Sequence, residues 1–203
     1  MSAGGLGQLR NAVALFVLAA VWWGQPRPPQ ESTVERIETG RARLANGTEA
    51  AYRIRLLPVA SFPALPATIA KQLQQKNCMV PQTYEARQPE NVIRGAFEKK
   101  GSEDWAVLCS GSGVTTLYVF FQSHSGDAVA LRHQPDADWL GSEIAGRYGS
   151  AWGISVRPPS QIHSAKLRGE RIDHSGIDDA FLEHSSTVHY FEDGEWIMLE
   201  PGN

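Results

Sequence analysis

Within the 203-residue chain, the densest run of side chains able to do chemistry is Arg171-Ile172-Asp173-His174-Ser175-Gly176-Ile177-Asp178-Asp179, with His184 and His189 a few residues on. Carboxylates beside imidazoles are the groups that move protons or hold divalent metals, so Asp173, His174, Asp178 and Asp179 are the candidate catalytic set. Their spacing matches no metal or hydrolase signature: there is no H-E-x-x-H, no C-x-x-C and no D-x-D-x-D-G loop. No metal and no cofactor is therefore expected. A structural reading competes, in which Asp173 or Ser175 caps a short helix over residues 177–182 and Asp178 and Asp179 sit in its first turn, where the helix dipole favours negative charge.

Three further groups merit the same scrutiny. His133, Asp136 and Asp138 cluster in HQPDAD, where Pro135 marks a turn and solvated carboxylates are ordinary. Ser110-Gly111-Ser112-Gly113 lacks both the G-x-S-x-G elbow and the phosphate-loop pattern, and reads as a hairpin turn. Trp139 and Trp152 lie in a glycine-dotted stretch and are expected at the surface, where two exposed indoles would form a binding patch. Trp105, Tyr118, Phe120, Phe121, Tyr190 and Trp196 fall on expected strands and are assigned to packing.

Cys78 and Cys109 are the only cysteines. An even pair in an exported chain reads as a disulfide, closing a loop of about 31 residues that is worth roughly 3 to 4 kcal/mol in the chain-entropy model. Neither cysteine has a histidine near it in sequence, so thiol chemistry has little support.

The elements that position these residues read as mostly antiparallel β, an α+β chain with one or two short helices. Residues 41–57 form two β-prone runs around Asn46-Gly47, the dipeptide suited to a two-residue hairpin turn. Residues 65–76 switch to a helical period, with Leu65, Ile69 and Leu73 on one stripe and Asn77 placed to end it in the left-handed conformation. Residues 92–97, 105–110, 115–122 and 128–132 are β-rich with short gaps between them, which favours an antiparallel meander. Gly95 within the first of these suggests a bulge or a close backbone contact. Residues 138–146 hold at most a short helix capped by Asp138, 153–156 read as a strand, and 161–167 continue extended pairing. Two last runs, 186–191 and 195–199, flank Asp193-Gly194, a strong hairpin signal.

The N-terminus sets the compartment. Arg10 precedes twelve apolar residues, 12–23, and then the breaker stretch GQPRPPQ, the plan of a signal peptide. As a helix the run rises only about 18 Å against a hydrocarbon core of about 30 Å, which disfavours a full span. Trp22-Trp23 stands where a small-residue cleavage site is wanted, and a retained anchor remains the alternative. Residues 1–24 are accordingly a signal peptide or anchor, 25–33 a Pro-rich linker, and 34–203 one β-rich domain that is periplasmic or secreted. A net charge of −3 with interleaved signs offers no basic stripe for nucleic acid. Membrane contact is expected only through the N-terminal segment.

Four motifs carry a resemblance: Cys78-x-x-Pro81-Gln82, Asn91-Val92-Ile93-x-Gly95-x-Phe97, Asp104-Trp105-Ala106-Val107-Leu108-Cys109 and Asp173-His174-x-Gly176-Ile177-x-Asp179. Over roughly residues 65–201 the chain resembles a family of small exported bacterial proteins, which implies export and brings no activity, substrate or catalytic residue with it. Residues 95–107 also resemble one FG-GAP or VCBS blade, but its calcium positions are here Ala96, Glu98, Lys99 and Lys100, and the lysines oppose a hard cation. The function these features imply is binding of a protein or small molecule in the cell envelope without catalysis. A small hydrolase or metal-dependent enzyme centred on residues 173–179, and a structural accessory subunit of an envelope complex, are the alternatives.

Overall fold

The computed structural model describes residues 34–44, 47–124, 127–142, 148–162, 172–182 and 184–199. The expected signal peptide or anchor and the linker (residues 1–33), Asn46, residues 143–147 and residues 163–171 lie outside the described residues. Among the described residues thirteen strands and one α-helix follow in the order β1 Arg36–Arg43, β2 Glu49–Pro58, α1 Ala67–Gln75, β3 Met79–Gln82, β4 Val92–Gly95, β5 Asp104–Gly111, β6 Val114–Phe120, β7 Val129–Pro135, β8 Leu140–Ser142, β9 Tyr148–Ser150, β10 Trp152–Arg157, β11 Gly176–Phe181, β12 Ser185–Glu192 and β13 Glu195–Leu199. They form a nine-stranded sheet ordered β7-β6-β5-β3-β2-β9-β8, with β1 added on β2 and β4 on β5, and a four-stranded sheet β10-β11-β12-β13. All pairings are antiparallel except β2 with β9. The mostly antiparallel β architecture, the single helix and the disulfide agree with the sequence reading. No helix among the described residues is long and apolar enough to cross a membrane.

β5 organises the larger sheet. Its sequence DWAVLCSG is buried almost throughout, as a continuous apolar run requires when both faces of a strand are covered. Trp105, Val107 and Cys109 face α1 in a cluster with Leu65, Leu73, Cys78 and Val80. Ala106 and Leu108 face the smaller sheet and pack with Leu117, Val119, Trp152, Ile154 and Ile177. The Cys78–Cys109 disulfide ties the segment just past α1 to β5. Asn77, at φ 53°, ends the helix in the left-handed region as expected.

Turn chemistry places the hairpins. Ser112-Gly113 and Asp193-Gly194 both take positive φ, the signature of tight turns whose twist matches the flanking strands. β4 to β7 form the expected meander. The two sheets are joined at Asn91, which holds φ 68°. Its amide donates to the carbonyls of Pro81 (2.7 Å) and Trp152 (3.1 Å), and its Oδ1 accepts the Ile154 N–H (3.0 Å).

Several expectations are corrected. Residues 177–182 are not helical: Gly176–Phe181 is a central strand, bonded to β10 on one side and β12 on the other. Pairing on both sides satisfies its backbone, which outweighs the local helix-start chemistry of Asp178-Asp179. Among the described residues Asp138 caps no helix; it lies in a 3-10 turn, Asp136–Trp139, that runs directly into β8. Pro159–Gln161 is likewise a 3-10 turn, and the rest of the strand expected at 161–167 falls almost wholly outside the described residues. The close approach at Gly95 is real, but its neighbour is the Phe97 ring, 2.7 Å from where a Cβ would stand, and not another backbone.

Candidate functional site

Asp179 is the centre of the site. Strand alternation makes the two adjacent aspartates of β11 face opposite ways. Asp178 turns out to Arg157 Nη2 at 2.8 Å. Asp179 turns in, fully buried, and its carboxylate is filled by protein donors: Oδ1 accepts the Trp152 indole N–H at 2.6 Å, while Oδ2 accepts Arg132 Nη1 at 3.0 Å and His189 Nε2 at 2.9 Å. Burial alone would raise the carboxyl pKa, but the hydrogen bond and charge of His189, with the charge and hydrogen bond of Arg132, outweigh it and hold Asp179 below its ordinary value.

The indoles form the second layer. Trp139 and Trp152 do come together, stacked with ring centroids 4.4 Å apart, but they are only 7% and 1% exposed, so the surface patch expected from the sequence is instead an interior pair. Two causes are evident. The Trp152 N–H is committed to Asp179, and the Arg132 guanidinium lies over the Trp139 ring at 4.6 Å, closing the outer face of the stack.

Around this stack the interior between the two sheets opens to solvent as a cleft of about 310 Å³, lined by Arg132 and Gln134 of β7, Asp138 and Trp139, Asp179 and Phe181 of β11, and Ser185 and Thr187 of β12. Cross-strand register brings these together: Asp179 pairs with Thr187 and Phe181 with Ser185, so both pairs share one face. A larger recess of about 790 Å³ adjoins it, sharing Asp138 and Phe181 and reaching Tyr148 and His184.

The remaining sequence candidates stand elsewhere. His174 is buried; its Nε2 donates to the Phe191 carbonyl at 2.8 Å, and its Nδ1 lies 3.0 Å from both the Tyr190 hydroxyl and an Asp173 carboxylate oxygen. The carbonyl can only accept, so Nε2 carries a proton, while Nδ1 stands between the Tyr190 hydroxyl and the Asp173 carboxylate. Burial pushes the Tyr190 phenol up, which keeps it a donor at neutral pH. Asp173, His174, Asp178 and Asp179 are thus divided among three sets of partners. Among the described residues, no group of three or more His, Cys, Asp or Glu side chains is arranged to hold a metal ion. His133 is exposed. Asp136, expected in a solvated turn, is buried and accepts the Ser110 and Thr115 hydroxyls at 2.6 Å each.

Sequence reasoning missed Arg132, Gln134, Ser185 and Thr187. A signal was present on β12, where Ser185, Thr187 and His189 form a polar stripe on one face, alternating with Ser186 and the buried apolar Val188 and Tyr190 on the other. No protein-family model matches the chain, and neither does a curated protein or a solved structure.

Proposed function

We propose that this chain is a non-catalytic binding domain that works outside the cytoplasm and takes a small ligand in the cleft between its two sheets. The observation that carries the reading is the state of the polar groups there. Asp179, the group best suited to acid–base work, has both oxygens engaged by Trp152, Arg132 and His189, so it builds the floor instead of reaching a substrate. Gln134, Ser185 and Thr187 stand on the cleft wall, and among the described residues no side-chain hydrogen bond engages them. Fixed floor and adaptable wall suit recognition. The export plan of residues 1–24 and the disulfide support the compartment.

The test is a thermal-shift screen of a chemically diverse small-molecule library against the wild-type chain and a Gln134→Ala, Thr187→Val double variant. At least one compound class is expected to raise the wild-type melting temperature and to leave that of the variant unmoved. No shift with any compound, or an equal shift in both proteins, would refute the cleft as a ligand site.

A further inference from the structure

The polar atoms lining the cleft differ in what they can do. Serine and threonine hydroxyls each donate and accept; the glutamine amide does both through separate atoms; guanidinium only donates and ionised carboxylate only accepts. On the wall these are Ser185, Thr187, Gln134, Arg132 and Asp138. Arg132 spends Nη1 on Asp179, leaving donors on a guanidinium whose plane is held by the Trp139 ring.

Charge narrows the choice. Among the described lining residues, Arg132 is matched by the buried Asp179, and the only other charge is Asp138, so the cleft has no positive excess to attract an anion. A carboxylate or phosphate ligand could take the donors of the hydroxyls, Gln134 and Arg132 but would face the Asp138 carboxylate, while an ammonium would face the Arg132 guanidinium. A ligand whose every polar atom both donates and accepts serves all five side chains, and hydroxyl is that group. Planar amide, guanidinium and carboxylate groups can each bridge neighbouring hydroxyls. Trp139 and Phe181 supply apolar wall for carbon-bound hydrogens.

We infer that the ligand is an uncharged polyhydroxylated molecule, a neutral sugar unit, held by Gln134, Ser185, Thr187, Arg132 and Asp138 in the cleft beside Trp139. This rests on the reading of the cleft as a binding site. At about 310 Å³ the cleft is at the small end of ligand sites, sized for one or two rings, and the adjoining recess past Phe181 gives a longer chain of units somewhere to continue.

The decisive experiment applies the intact chain to an array of neutral mono-, di- and oligosaccharides with sialylated and sulfated members, and follows any hit by titration of tryptophan fluorescence. Free glycine and glutamate, as zwitterionic and anionic probes, are titrated in parallel. Neutral sugars are expected to bind, and Ser185→Ala and Thr187→Val are each expected to weaken them about tenfold, the scale of one lost hydrogen bond, with unchanged melting temperature. Binding confined to charged sugars or to the amino acids would overturn the ligand class while leaving the cleft in place. Neutral-sugar binding indifferent to both substitutions would overturn the placement. Failure of every probe here and of every compound in the thermal-shift screen would remove the binding site itself.

Discussion

At the scale of residues, one carboxylate carries most of the electrostatic weight. Asp179 accepts three hydrogen bonds with its own side chain fully buried, and truncating one member of such a buried charged set leaves the others uncompensated. Asp179→Ala is expected to cost about 3 to 5 kcal/mol, measured by urea unfolding at neutral pH. Because its pKa is held down in the folded state, its contribution is fully present above the ordinary carboxylate value and is lost as pH falls through the depressed folded one. In Asp179→Asn the stability-versus-pH curve should flatten in that acidic window. The residue types were visible in the sequence, but which of Asp178 and Asp179 faces inward depends on strand parity, and parity was unreadable once the segment was taken for a helix. The tryptophans were expected at the surface, and their burial depended in part on Arg132, a residue twenty positions before Trp152 and unremarkable in sequence.

Among the elements, turns were the most legible because their chemistry is local. Asp193-Gly194 announced its hairpin, and Gly194 holds φ 86°, so Gly194→Ala should destabilise by about 1 to 2 kcal/mol, read from the denaturation midpoint. The meander from β4 to β7 was legible for the same reason: short gaps leave few ways to connect strands. β11 was not, since it exists as a strand only because β10 and β12 bond it from both sides, and β10 ends 19 positions before β11 begins. Asn91 is equally silent in the sequence, though it is the hinge pin between sheets. Replacing it by alanine removes three hydrogen bonds to buried backbone groups and puts a Cβ residue without a compensating side chain in the left-handed region. Asn91→Ala should therefore cost about 2 to 4 kcal/mol, and hydrogen exchange should show the added opening concentrated in β3 and β10.

For the molecule as a whole, the larger sheet is covered on one face by α1 and on the other by the smaller sheet, with the disulfide pinning the helix side. A Cys78→Ala, Cys109→Ala variant should lose about 3 to 4 kcal/mol, and reducing agent should destabilise the wild type while leaving the variant unchanged. The cleft belongs to this scale too. It exists only where β7 of one sheet meets β11 and β12 of the other, so no single stretch of sequence contains it. The account is tested most directly by native mass spectrometry of the chain recovered from the extracytoplasmic fraction of the cells that make it, beside the Gln134→Ala, Thr187→Val variant. The chain is expected there with a small-molecule adduct that the variant lacks; a chain confined to the cytoplasm, or one exported but bare in both forms, would contradict it.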